Sequence, residues 1–258
     1  MHDLSDTLHP LGFSAWRFLP VTGSTNDDSL AWAHEGALDW SLVVADAQTA
    51  GRGRGNRHWV TEPGCGLAFS LVVRPSPVEI QYFPRFTALA ALGLISALSD
   101  LGLDAELKWP NDVLLERKKV AGVLVEADWQ DGQVSTVVVG MGVNVTLGSV
   151  PQSESLRYPA TAIETALGRP VDRWVLLGDV LSAMRDYRAS LTEESFVEAW
   201  NMHLAFRDET VRFRMGNNVS QCVKVLGVNA DGQLLLEHEN GDKFSTPTGE
   251  ILMIDEVT

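Results

Sequence analysis

Two cysteines are all this chain of 258 residues contains, Cys65 and Cys222, far apart and outside any Cys-x-x-Cys pair. That excludes a disulfide framework and a zinc knuckle. Both thiols are expected to be small buried groups in a reduced compartment. Basic residues are also scarce, 20 Lys and Arg against 34 Asp and Glu, for a formal net charge of -14. A surface this acidic is poorly suited to neutralising the phosphates of a nucleic acid, so a locally basic segment within it stands out. No apolar run is pure enough to cross a membrane. The best stretch, Phe86 to Leu103, carries Ser96, Ser99 and Asp100 and reads as a buried helix. The opening Met1-His2-Asp3-Leu4-Ser5-Asp6 has neither a basic start nor an apolar core. No signal peptide is expected, and the cytoplasm is the expected location. Internal repeats and low-complexity tracts are absent too.

Hydrophobic residues make up 45% of the chain, enough for one large domain or a medium domain with a small one. Ser24-Thr25-Asn26-Asp27 has the residue types that start a helix. Ser41 to Ala45 and Leu67 to Arg74 read as strands, with a glycine-rich loop from Gln48 to Trp59 between them. A helix is expected from Phe83 to Leu101. Strands follow at Ala105 to Trp109, Asp112 to Leu115, Lys119 to Asp128 and Gln133 to Val145, the last two joined by a turn at Asp131-Gly132. Thr146 to Ala160 reads as a loop, and Trp174 to Leu191 and Glu194 to Leu204 as amphipathic helices. From about Asp208 the pattern changes to short strands, Thr210 to Met215, Gln221 to Val228, Leu234 to Glu237 and Ile251 to Ile254. Turns at Asn217-Asn218, Asp231-Gly232 and Gly241-Asp242 separate them. This suits a small barrel appended to an α/β domain, with a boundary near residue 207.

Three constellations carry chemistry. Gly51-Arg52-Gly53-Arg54-Gly55-Asn56-Arg57-His58-Trp59 combines glycines that let backbone approach a ligand with planar cationic donors and an aromatic face. It suits an anion, or equally a solvated basic loop or an RNA-binding Arg-Gly segment. It matches neither the phosphate-loop nor the dinucleotide motif. Lys108-Trp109-Pro110-Asn111-Asp112 is followed by Lys119-Val120-Ala121-Gly122. Lys119 stands at the mouth of an apolar strand expected to be buried on both faces, or else belongs to a charged turn. Gly140-Met141-Gly142-Val143-Asn144 ends another buried strand, where glycines admit a ligand or mark a β-bulge.

Together with Ser24-Thr25-Asn26, Gln48-Thr49 and the C-terminal Gly249-Glu250-Ile251, these motifs occur in the order shown by the biotin protein ligase family. The chain resembles that family from about residue 20 to its end. The resemblance implies an α/β (α+β) fold. Residues 1–207 would form a mixed-sheet catalytic domain related to class II aminoacyl-tRNA synthetase cores, and residues 208–258 a small SH3-like β-barrel. It implies ATP-dependent formation of biotinyl-5'-AMP and transfer of biotin to a lysine of the biotin carboxyl carrier domain of acetyl-CoA carboxylase or a related carboxylase, with Mg²⁺. Lys119, Arg52 and Arg54 would be catalytic. Biotin would meet Ser24, Thr25, Asn26, Gln48, Gly51, Arg52, Gly53, Arg54, Lys119 and Gly122. The nucleotide would meet Arg54, Arg57, Trp59, Lys119 and Asn144, and Asp112 would hold the metal. Gly55-Asn56 departs from the family's usual basic-and-glycine pair. Some members open with a DNA-binding winged helix of about sixty residues; with about twenty residues ahead of Ser24, neither that domain nor a repressor role is expected. No nucleic-acid or membrane partner is expected, and a homodimer is compatible with the sequence. The nearest competing reading is a lipoate or octanoate transferase of the same fold. A fatty chain makes no ureido hydrogen bonds, so Gln48 and the Arg-Gly loop favour biotin. Further alternatives are a biotin-sensing repressor and an RNA-binding module.

Overall fold

The computed structural model describes residues 3–13, 15–150, 158–216 and 220–252. The turn expected at Asn217-Asn218, residues 151–157 of the loop expected from Thr146 to Ala160, and the strand residues expected after 252 lie outside them. Strands β1 (Trp16–Thr22), β2 (Ser41–Gln48), β3 (Arg52–Gly53), β4 (Arg57–His58), β5 (Gly66–Val73), β6 (Ala105–Lys108), β7 (Asp112–Leu115), β8 (Lys118–Gln130) and β9 (Gln133–Asn144) precede five more. Those are β10 (Thr210–Arg214), β11 (Gln221–Val228), β12 (Leu234–His238), β13 (Lys243–Thr246) and β14 (Glu250–Leu252). The helices are α1 (Leu4–Leu8), α2 (Thr25–His34), α3 (Pro77–Ile80), α4 (Arg85–Asp100), α5 (Ile163–Leu167), α6 (Arg173–Ala189) and α7 (Glu194–Met202).

Seven strands form a mixed sheet in the order β1-β2-β5-β9-β8-β7-β6. Only β1 and β2 run parallel; every other neighbour is antiparallel. The central strands explain their burial by composition. Every residue of β5 is buried, and Val137, Val138, Val139 and Met141 of β9 are 0–4% exposed. Helix α4 covers the sheet with Phe86, Leu89, Leu92 and Leu98, all fully buried; each such side chain contributes about 1.5–3 kcal/mol. Among the described residues no helix is long and apolar enough to cross a membrane.

A second, antiparallel sheet runs β13-β12-β11-β10-β14. Val211, Phe213, Leu234, Leu236 and Ile251 point inward and join the same hydrophobic core as the large sheet. Polar ties fix the junction. Trp109 Nε1 donates to Gly232 O at 3.1 Å, and the buried Arg85 donates to Ala230 O and Leu191 O.

The structure corrects three expectations. The segment from Gln48 to Trp59 is not an irregular loop: β3 and β4 pair as a short hairpin around a turn in which Gly55 takes φ 65. Strand β8 is buried on one face only. Val120, Ala121 and Val123 are buried, while Gly122 and Leu124 are half-buried because they front a cavity. The cysteines are not both core residues either. Cys65 is half-buried in the turn before β5, and Cys222 is exposed because the inward positions of β11 fall to Val223 and Val225.

Candidate active site

A cavity of about 600 Å³ opens over the sheet between the start of α2, the β3–β4 hairpin, strands β8 and β9, and β14. It has the size of a small-molecule site. Two glycines of β9 make the room. A Cβ on Gly140 would overlap Asn26 Oδ1, and one on Gly142 would overlap the indole of Trp59. The sheet is therefore smooth where Asn26 and Trp59 lean over it, which explains the Gly140-Met141-Gly142 spacing better than a bulge; β9 pairs with β5 in unbroken register there.

One wall is neutral and interlocked. Ser24, Thr25 and Asn26 are each 4% exposed. Thr25 donates from its backbone N–H to Gln48 Oε1 at 2.9 Å and from its hydroxyl to the same oxygen at 3.2 Å. Gln48 Nε2 donates to Thr61 at 3.3 Å. Behind them Ser70 Oγ lies 2.7 Å from Thr25 Oγ1 and 2.6 Å from Asn26 Oδ1. Buried polar groups held this way are pre-oriented without needing a ligand. The Ser24 hydroxyl, which caps no backbone N–H, has no partner among the described residues.

The opposite wall is charged. Lys119 Nζ, 5.5 Å from the Trp59 ring centre, pairs with Asp112 Oδ1 at 2.6 Å. The three arginines of the hairpin divide. Arg52 is bound by Glu126 and Asp27, and Arg57 by Glu250 of β14 at 2.6 Å. Arg54 between them makes no hydrogen bond or ion pair among the described residues. Water reaches it through the open cavity, yet the flanking walls strip part of its hydration and pull its pKa below the usual arginine value, with Asp112 opposing. It stays charged at neutral pH.

Of the residues named from the sequence, Gly51 alone is absent from the cavity lining. It is buried beneath the hairpin, where its O accepts from Trp59 N at 2.8 Å. Asn144 lines the cavity with one amide hydrogen spent on Thr161 O at 3.1 Å, so it ties down the following segment as well as facing the site. Sequence reasoning missed Glu126, Ser70, Glu250 and the buried Lys108, whose Nζ stands 4.2 Å from the centre of the Tyr158 ring. Lys108 and Glu250 lay within motifs named from the sequence and could have been found. Nothing local marks Glu126 and Ser70, which reach the site only through strand pairing.

This geometry agrees with the comparisons. The biotin/lipoate A/B protein ligase family matches residues 18–144. The biotin--[acetyl-CoA-carboxylase] ligase of Paracoccus denitrificans is 34% identical over 242 residues, covering 90% of this chain and 98% of that protein. The bifunctional ligase/repressor BirA of Bacillus spizizenii is 33% identical over 227 residues, covering 86% of this chain and 69% of that one. The structure of the biotin protein ligase from Aquifex aeolicus in complex with biotin and ATP superposes with a TM-score of 0.78 at 29% identity, covering 93% and 98% of the two chains. The fold and cavity are those of a ligase that joins a small carboxylic acid to a protein. The chain belongs to the biotin protein ligase family.

Proposed function

We propose that this chain activates biotin with ATP to biotinyl-5'-AMP and then transfers biotin to a lysine of the biotin carboxyl carrier domain of a carboxylase. The observation that carries the reading is the facing of two unlike walls in one cavity. The neutral set around Ser24, Thr25, Asn26 and Gln48 suits an uncharged ureido ring; Lys119 and Arg54 suit the carboxylate and phosphate at its other end. A lipoyl or octanoyl chain offers no partner for the neutral wall.

In the first step a biotin carboxylate oxygen attacks the α-phosphorus of ATP, and the bond to the bridging oxygen breaks to release pyrophosphate. Two anions must meet, so fixed cations carry the step. Lys119 reaches both the attacking carboxylate and the α-phosphate, and Arg54 closes over the phosphate from the hairpin. Trp59 and Asn144 receive the nucleotide. The Asp112 carboxylate fits Mg²⁺, which is commonly held by one or two carboxylates together with substrate phosphates; it would supply further charge neutralisation there. In the second step the neutral amine of the acceptor lysine attacks the acyl carbon of the mixed anhydride, and AMP leaves. Gly51 acts through the hairpin's backbone, Gly53 lines the cavity from the hairpin, Gly122 keeps the cavity floor open beside Lys119 and Trp59, and Arg57 fastens the hairpin's far end to β14. We further read residues 1–207 as the catalytic domain, related to class II aminoacyl-tRNA synthetase cores, and 208–258 as an SH3-like barrel, supported by the five-stranded antiparallel order.

The test is incubation with biotin, Mg-ATP and a carboxyl carrier domain, followed by the intact mass of the carrier. One biotinyl addition, dependent on ATP, is expected. Addition of lipoyl or octanoyl groups in preference to biotin would overturn the reading.

A further inference from the structure

Glu126 sits on β8 four residues beyond Gly122, with its side chain 25% exposed. Its two oxygens do three things at once. Oε1 accepts from Arg52 Nη1 at 2.8 Å, and Oε2 accepts from Arg52 Nη2 at 2.7 Å and from Asn26 Nδ2 at 2.7 Å. Arg52 Nη2 also reaches Asp27 Oδ1 at 2.6 Å. The guanidinium of Arg52 is thus engaged by two carboxylates at the cavity rim, an arrangement for fastening rather than for meeting a phosphate.

The Asn26 amide is fixed in sense as well as in place. Its Nδ2 hydrogens go to the Glu126 carboxylate and to Leu124 O at 3.3 Å, two groups that only accept. Turning the amide over would set its oxygen against both. The orientation with Oδ1 toward Ser70 is therefore enforced, and the one hydrogen of the fully buried Ser70 is drawn to it at 2.6 Å. Thr25 and Gln48 follow in the same chain. A ring carrying both N–H donors and a carbonyl acceptor is recognised only if the donor and acceptor sense of this wall is constant.

We propose that Glu126 is a positioning residue for the acid substrate: it sets the polarity of the neutral wall through Asn26 and anchors the root of the β3–β4 hairpin through Arg52. This rests on the reading of the cavity as a biotin site. Glu126→Gln keeps the size of the side chain but supplies a donor where only acceptors stood, so Asn26 becomes reversible and Arg52 is left with Asp27 alone of its two carboxylates.

The test measures kcat and KM for biotin and for ATP by pyrophosphate release, with biotin affinity by calorimetry. Glu126→Gln should raise the biotin KM and Kd by about tenfold or more, the range set by one charge-assisted hydrogen bond. At saturating biotin, kcat and the ATP KM should stay within about threefold of wild type. Ser70→Ala removes the next link without touching Arg52, and should give the same biotin-selective rise at smaller size. A fall in kcat with unchanged biotin KM would mean that Glu126 merely supports the fold and would overturn the proposal. So would Ser70→Ala with biotin affinity at the wild-type value, whatever the folding of the Glu126 variant. A wild-type chain that forms no biotinyl adenylate would instead remove the underlying functional reading.

Discussion

The two walls of the cavity are built on opposite rules. The neutral wall is finished before any ligand arrives: Thr25, Asn26, Gln48 and Ser70 are buried or half-buried and bonded to one another. The charged wall is provisional. Lys119 is held by Asp112, and Arg54 makes no ion pair among the described residues. The difference follows from the substrates' chemistry. A neutral ring yields little electrostatic energy, so its partners must be pre-aligned to avoid an ordering cost on binding. Phosphates bring their own charge and can reorganise cations that are near but not committed.

If the charged wall carries the chemistry, its central cation should show the largest effect. Lys119→Ala should slow adenylate formation by about 10²–10³-fold, the usual cost of one transition-state charge donor. The melting temperature should stay near wild type, because the side chain is partly exposed and its pair with Asp112 is replaceable by water. Pyrophosphate release with purified protein measures it. Activity within about threefold of wild type would move the chemistry away from this wall.

Arg54→Gly should matter next, and differently. An arginine with no ion pair among the described residues is free to organise around a bound anion. The variant should therefore release biotinyl-AMP about 10–100-fold faster, the span of a charge-assisted contact. Free adenylate would then label lysines of bystander proteins. Retention equal to wild type would show that the hairpin's central arginine does not hold the product of the first step.

The two glycines of β9 separate the walls in a single strand. Gly140→Ala presses on Asn26 and Gly142→Ala on Trp59, each through a Cβ that the present positions cannot accept. Overpacking of this kind costs about 1–3 kcal/mol. Gly140→Ala should raise the biotin KM about tenfold and spare the ATP KM; Gly142→Ala should do the reverse, each set by steady-state titration of one substrate at saturating levels of the other. Equal effects on both substrates would mean that the walls do not act separately.

How much of this was legible in the sequence depends on how local each signal is. The helix start at Ser24, the hairpin turn at Asp131-Gly132 and the buried strands β5 and β9 declare themselves through residue type and period. Strand β1 does not: it is an edge strand with Phe18 and Val21 exposed and Pro20 within it, so its alternation is poor. Strand β13, Lys243–Thr246, is four residues with a lysine and two hydroxyls, indistinguishable by composition from a turn. The candidate site residues other than Gly51 line one cavity. Their supports, Ser70, Glu126 and Glu250, lie on three strands that only sheet pairing brings to the cavity.

The smallest effect belongs to the join between the hairpin and the C-terminal sheet. Burial pushes the Glu250 carboxyl up, but hydrogen bonds from Arg57 and Arg214, with Lys108 nearby, outweigh it and hold the group below the usual glutamate range. A depressed carboxylate stabilises the folded state at every pH above its unfolded value, about 4.3. That contribution is lost as pH falls through the lower folded value. Glu250→Gln should therefore lower the melting temperature at pH 7 by about 2–4 °C, since each of its two partly exposed pairs, with Arg57 and Arg214, is worth about 1 kcal/mol or less in a chain of this size. The gap between variant and wild type should close progressively below about pH 4.3. Melting curves at several pH values in one buffer series give the answer. A gap that persists unchanged into acid would show that Glu250 acts through packing and not through its charge, and that the hairpin's outer arginine is not pinned electrostatically to β14.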